Sequence, residues 1–473
     1  MRKIVTSGII GILIAILIIS IVQVMAPRDQ YLVEDESKDI TKIYFMSSWA
    51  GVDSKSVIID TLIRQFNKDH PDIEVIDMSL AGEDFLYTLK TGFASNEPPD
   101  VFGLWPGSDL DVLIEKGKIA NLRTDMDFDP SWENGFDETV YNNFMSEESL
   151  YSIPFEMIYE GLFINEKLFD KYRVKKPKTI EELYVVVRSF RNRGVVPIAF
   201  NATPEGSFLI QNLMVASKGK FTPTYVESAI DGDDFLLQEK LLSAAGEAID
   251  IVENLEKMKA FPNDYAVLDD YGRNQLFRNG KAAMIFQGSW FLDQELLENQ
   301  DVGFLATPKL NADDPSRVIY GIGNGNFHIS QNAYNDQKKR EASLKFLKFL
   351  TSAESAKSFS ILPGFTSSLK ASDAYLSGVG KESLNTVRNA DILSVPVDHV
   401  VDRSLWETMF VGNLVSYLEG ELNKEVYLKS TFVQDQSEEE ESLDKEHQLD
   451  KQNQLDEHNQ TMKQAPPEEG SED

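Results

Sequence analysis

Three of the five tryptophans share a placement, each following a run that reads as a β-strand. Trp49 comes after Lys42–Met46, Trp105 after Asp100–Leu104 and Trp290 after Ala282–Phe286. An indole is a flat apolar platform, and in open α/β sheets ligands lie beyond the carboxyl ends of the strands, so these rings are placed to stack against a ligand. Hydrogen-bonding candidates accompany them. Glu83 follows the second predicted strand and Glu156 follows Tyr151-Ser-Ile-Pro154, while Asn324 and Asn326 sit in the glycine-rich stretch Tyr320–Phe327. Carboxylates accept hydrogen bonds and amides both donate and accept, which suits a ligand whose apolar C–H face is ringed by hydroxyls. Asp53 serves equally well as an N-cap or first-turn acid of the helix that starts there. Asp100 reads as a loop-fixing residue, Trp132 as structural, and Trp406 fits either role.

Other chemistries find little support. No Gly-x-Ser-x-Gly, His-Glu-x-x-His or EF-hand loop occurs, and the five histidines (His70, His328, His399, His447 and His458) are dispersed, so no metal site is expected. The glycines of residues 320–327 lack the full dinucleotide fingerprint and the Lys-Ser/Thr ending of a phosphate loop. Zero cysteines exclude disulfides, thiolate metal sites, Cys nucleophiles and a lipid-modified cysteine. With 77 acidic residues, two facing carboxylates of the kind that cleave glycosides remain an open alternative. A net charge of −31, with Lys338-Lys-Arg340 the longest basic run, opposes binding to nucleic acid.

The elements that must position these residues alternate. Lys42–Met46 reads as a strand, 54–70 as an amphipathic helix stopped by Pro71, and 73–78 as the next strand, a βαβ unit. Helix 85–95, strand 100–104 and helix 110–116 continue the pattern. Thr179 and Glu182 form a capping box ahead of a helix to Arg193, closed by Gly194. Strands at 195–200 and 282–286 and helices at 340–350 and 354–359 complete an α/β reading with largely parallel sheets.

Six segments in this order resemble the extracytoplasmic solute-binding proteins of ABC transporters, in the carbohydrate-binding group that includes maltose-binding-like proteins. They are Ile43–Trp49, Phe66–Pro71 with Ile73-Glu-Val75, Pro98-Pro-Asp-Val101, Tyr151–Pro154 leading to Phe163-Ile-Asn165 and Leu168-Phe169, Pro177-Lys-Thr179 with Glu182-Leu183, and Phe277–Met284 ending in Gly288-Ser-Trp290. The resemblance implies two α/β lobes joined by crossovers, with a sugar or oligosaccharide held in the cleft by Trp49, Glu83, Trp105, Glu156, Trp290, Asn324 and Asn326. It implies permease subunits of an ABC transporter as partners, or alternatively a membrane sensor kinase. It implies no cofactor, no catalysis and a monomer. Crossovers are expected near 151–155, 286–290 and 362–365. The lobes then divide as 41–153 (first), 154–286 (second), 287–362 (first again) and 363–433 (mainly second).

The ends differ from this body. Residues 4–26 carry no charge, and 23 residues at about 1.5 Å each span roughly 34 Å, enough for a bilayer core. Arg2 and Lys3 before them place the rest of the chain outside the cytoplasm. Pro27 after Val24-Met-Ala26 is a poor cleavage context, so residues 1–26 are expected to stay as a membrane anchor, a cleaved signal being the alternative, with 27–40 as a linker. Residues 434–473 hold fourteen acids and three lysines and no aromatic residue, and are expected to be a disordered tail.

Overall fold

The computed structural model describes residues 40–432 apart from 52–53, 139, 142–144, 146–147, 218–233, 371–375 and 377. The expected anchor at 1–26, most of the 27–40 linker, Asp53 and the tail at 434–473 therefore lie outside the described residues. In β1 (Thr41–Met46) Ile43 and Phe45 are buried while Lys42 and Tyr44 are exposed, the period-two pattern of a strand with one face on a core. Helix Ser54–Asp69 supplies Ile59, Leu62, Ile63 and Phe66 to that core. It stops where Pro71 bars His70 from helical geometry. β2 (Ile73–Asp77) then pairs parallel to β1, with Ile43 opposite Val75. β3 (Val101–Gly103) joins the other side of β1, also parallel. β4 (Ile153–Pro154) completes the chain's first pass through this sheet.

Past Phe155 the chain enters a second sheet. Its central strand is β5 (Glu156–Asn165), followed by β6 (Val196–Ala199), β7 (Ala282–Gly288), β8 (Val302–Leu305) and β9 (Arg317–Ile322). β10 (Asn326–Ile329) returns to the first sheet, antiparallel to β3 and β4. β11 (Thr366–Ser367) and β12 (Ile392–Ser394) belong to the second. The strand orders are β2-β1-β3-β10-β4 and β12-β9-β5-β7-β6, with β8 and β11 also paired to β5. The expectation of largely parallel sheets needs correction in both: in the first, β10 is antiparallel to both its neighbours, β3 and β4. In the second, β5 runs antiparallel to β7, β8, β9 and β11, while β6 with β7 and β12 with β9 pair parallel.

Two further expectations change. No crossover occurs at 286–290: β7 continues to Gly288, and the next strands, β8 and β9, stay in the second sheet. The chain instead recrosses at Gly323-Asn-Gly325, so 287–322 does not return to the first lobe as expected. The three crossing strands run side by side. Phe155 N donates to Gly325 O at 2.9 Å, Gly323 N to Glu156 O at 2.9 Å and Ser368 N to Phe155 O at 3.0 Å. At the third crossing a Cβ on Gly364 would lie 1.9 Å from Ser289 O, so only glycine allows that passage.

Each lobe has its own core. In the first, Phe45 and Phe66 meet Phe346 edge-on at 5.5 and 5.1 Å. In the second, Leu183, Val187 and Phe190 pack with Leu209, Leu213, Trp406, Phe410 and Tyr427. The helix carrying the first three, Ile180–Arg191, begins at the predicted capping box: Thr179 Oγ1 accepts from Glu182 N at 3.2 Å, and Glu182 Oε2 accepts from Lys178 N at 2.6 Å.

Candidate functional site

Between the two sheets lies a cleft of about 440 Å³. Its floor is one face of β5. Side chains alternate along a strand, so Glu156, Ile158 and Glu160 face the cleft while Met157 and Tyr159 point into the core behind. Glu83 and Leu86 from helix Gly82–Ala94 form the first-lobe wall together with Trp105. The second-lobe wall holds Phe208, Trp290 and Trp406, and Asn324 of the middle crossover also lines the cleft.

Five of the seven predicted site residues converge here: Glu83, Trp105, Glu156, Trp290 and Asn324. Trp290 is 40% exposed and its indole meets Phe208 at 5.4 Å and 68°. Its ring also rests against Gly288, where an added Cβ would lie 2.1 Å from the indole. Trp105 is half-buried against Phe85. Asn324 Nδ2 donates to Ser48 Oγ at 2.8 Å.

Trp49 and Asn326 are placed otherwise. Trp49 is 1% exposed, edge-on to Phe327 at 5.6 Å and beside Phe359 at 5.1 Å. The crossover at Gly325 passes directly over its ring, so the carboxyl end of β1 is roofed and the indole becomes core. Asn326 is fully buried as the first residue of β10, opposite Pro154 in register and 3.3 Å from His328 Nε2. Both leave the set of ligand contacts. Asp100 and Trp132 are structural as read: Asp100 accepts from Tyr44 N and Lys339, and Trp132 Nε1 donates to Thr351 Oγ1 at 2.9 Å.

Three charged arrangements define the electrostatics. Lys55 Nζ meets Glu156 Oε1 at 2.5 Å with both side chains at most 10% exposed, and Glu156 Oε2 accepts from Gly325 N at 3.1 Å. Arg403, from the second lobe, reaches Glu83 at 2.9 Å and Asp109 at 3.6 Å on the first, and Glu407 at 2.9 Å on its own. These are partly exposed pairs, each worth up to about 1 kcal/mol, and they clasp the lobes weakly. The third is Glu160, 1% exposed, whose carboxyl is pushed well above the ordinary range by burial and by the charge of Asp398. His399, the chain neighbour of Asp398, is held below its ordinary value by burial, against the pull of Asp398.

A raised carboxyl pKa gives a pH signature. The native state keeps the Glu160 proton while the unfolded chain loses it, so stability falls as pH rises from about 4.5 toward the folded value. Glu160→Gln should therefore stabilise the protein increasingly above that point and do nothing below it. Melting temperatures of both proteins across pH check this; a constant difference would contradict it.

Several cleft residues escaped the sequence reading. Glu160 was within reach, since it stands four positions after Glu156 on an otherwise apolar strand and so must share its face. Lys55, Phe208, Asp398 and Arg403 carry no local signal; they reach the cleft through contacts 101 to 320 residues apart in sequence, as for Lys55 with Glu156 and Arg403 with Glu83.

Over 356 residues the chain is 23% identical to the melibiose/raffinose/stachyose-binding protein MelE of Bacillus subtilis, covering 72% of this chain and 78% of that one. It is 23% identical over 311 residues to the multiple sugar-binding protein of Streptococcus mutans, covering 63% and 69%. Among solved structures, the solute-binding protein RafE in complex with raffinose matches with a TM-score of 0.64 at 16% identity, over 83% of this chain and 97% of that one. A sugar transporter protein of Bacillus licheniformis in complex with stachyose matches at 0.63 and 17%, over 83% and 98%. These structures share the two-lobed fold. Residues 53–357 match the model of the family described as bacterial extracellular solute-binding protein. With two sheets, three adjacent crossovers and a cleft between the lobes, the chain belongs to that bacterial extracellular solute-binding protein family.

Proposed function

We propose that this protein captures a sugar or oligosaccharide between its lobes, outside the cytoplasm, and presents it to the permease subunits of an ABC importer. The observation that carries this reading is the pair of indoles, Trp105 from one lobe and Trp290 from the other, lining one cleft with carboxylates and the Asn324 amide between them. Stacking surfaces serve a sugar's C–H face and the polar groups serve its hydroxyls. The relatives' names, which include raffinose and stachyose binders, support the same ligand class. The protein acts as a monomer held at the membrane by residues 4–26, whose uncharged length supports a retained anchor.

The test is a thermal-shift screen against mono- and oligosaccharides, since a ligand that binds only the folded state raises its melting point. At least one oligosaccharide should produce a clear upward shift and be recovered at unchanged length, as expected of a binding protein and not of a glycosidase. A shift from peptides or amino acids with none from any saccharide would overturn the reading.

A further inference from the structure

Glu160 and Asp398 stand apart from the other acids of the cleft. Glu83, Glu156 and Asp109 each hold a lysine or arginine. Neither Glu160 nor Asp398 has an ion pair among the described residues. Glu160 Oε2 and Asp398 Oδ1 are both buried without a hydrogen-bond partner, and both residues line the cleft.

Their positions are fixed from behind. Glu160 is bound into β5 between β7 and β9, opposite Gly288 and Ile319. Asp398 sits in the turn Val397–His399, where Gln211 Oε1 accepts from Val397 N at 3.1 Å and Asp398 N at 3.4 Å. The cations that could approach are committed elsewhere, Lys55 to Glu156 and Arg403 to Glu83, Asp109 and Glu407. Among the described residues no three acidic or histidine side chains group to hold a metal ion.

Two carboxyls that line one cleft with open lone pairs need donors, and the charge of Asp398, which raises the Glu160 pKa, calls for a positive one. A ligand hydroxyl offers one donor and leaves the charge of Asp398 uncompensated. An ammonium offers three donors and the opposite charge, and charge-assisted bonds of this kind are roughly twice as strong as neutral ones. We propose that the Glu160–Asp398 pair receives a primary ammonium group of the ligand, so that the saccharide captured in this cleft is an amine-bearing one. This inference rests on the saccharide reading above and narrows it to a ligand class. An amino sugar and a free polyamine share the ammonium, and the experiment separates them.

The full-length chain in detergent micelles is titrated calorimetrically, below the pKa of the sugar amine, with glucosamine oligomers, their N-acetylated counterparts, glucose oligomers of the same linkage and length, and spermidine. The glucosamine oligomer should bind about tenfold or more tightly than either neutral series. Glu160→Gln and Asp398→Asn, both isosteric, should each remove most of that preference, read as the ratio of aminated to neutral affinity within the same variant. Melting curves establish that the variants fold, and either one alone decides the point. Equal affinity for aminated and neutral oligomers, or a preference that survives in the folded variants, overturns the inference and leaves the saccharide reading standing. Spermidine binding with the same sensitivity to both variants, in the absence of any oligosaccharide binding, keeps the ammonium site and removes the saccharide. No binding in any arm overturns both.

Discussion

Lys55→Ala should lower the unfolding free energy by about 3–5 kcal/mol, the largest single-site loss expected at the cleft. The Lys55 and Glu156 side chains are only 10% and 4% exposed and meet at 2.5 Å. Removing the ammonium leaves Oε1 of a carboxylate, in a residue only 3% exposed, without its counter-charge, while the other oxygen keeps only the neutral Gly325 N–H where the first two crossovers touch. The same truncation also removes the contact of Nζ over the Trp49 ring, 5.4 Å from its centroid. Urea unfolding measures the loss. Glu156→Gln in the same chain should restore most of it, since a neutral amide costs far less to bury than an unpaired charge. A loss below about 1 kcal/mol would mean the pair behaves as a solvent-screened surface contact. Because Lys55 belongs to the first lobe and Glu156 opens the second sheet, the same substitution should loosen the hinge and weaken ligand capture beyond what stability alone predicts.

The first lobe was legible because its information is local. Alternation in Thr41–Met46, the apolar stripe of Ser54–Asp69 and the break at Pro71 each act within a few residues, and a βαβ unit admits one handedness and one neighbour. Trp105 and Trp290 were found by the strand-end rule for the same reason. Trp49 obeyed that rule too and was buried, since whether a strand end is open depends on what later crosses it, here Gly325, 276 positions downstream. The second sheet was misread in the same way: β8 and β9 are as apolar as first-lobe strands, and nothing in Val302–Leu305 or Arg317–Ile322 encodes which sheet edge they will find. Composition could not supply that. Cleft residues such as Asp398 and Arg403 arrive on a C-terminal segment whose docking is fixed by Trp406, Phe410 and Tyr427 packing into the second-lobe core.

Trp105→Ala and Trp290→Ala should each weaken ligand binding by roughly tenfold or more, and the double variant by about a hundredfold, while costing little stability. An aromatic contact contributes about 0.5–1.5 kcal/mol beyond the area it buries, and each truncation also exposes the ligand's apolar face to water. Trp290 is 40% exposed before ligand arrives, so the core loses little when it is removed. Trp49 provides the contrast within the same molecule. At 1% exposure, packed on Phe327 and Phe359, Trp49→Ala should cost about 3–5 kcal/mol of stability, and the protein that remains folded should bind normally. Gly288→Ala adds a subtler case: its methyl would lie 2.1 Å from the Trp290 ring, so the indole must swing away, and affinity should fall toward that of Trp290→Ala with the indole still present. Calorimetry and urea unfolding on these variants rank the two effects in opposite order for platform and core residues. If Trp105→Ala and Trp290→Ala both bound ligand with unchanged affinity, the cleft would lose its stacking surfaces, and with them the physical reason for a saccharide between the lobes.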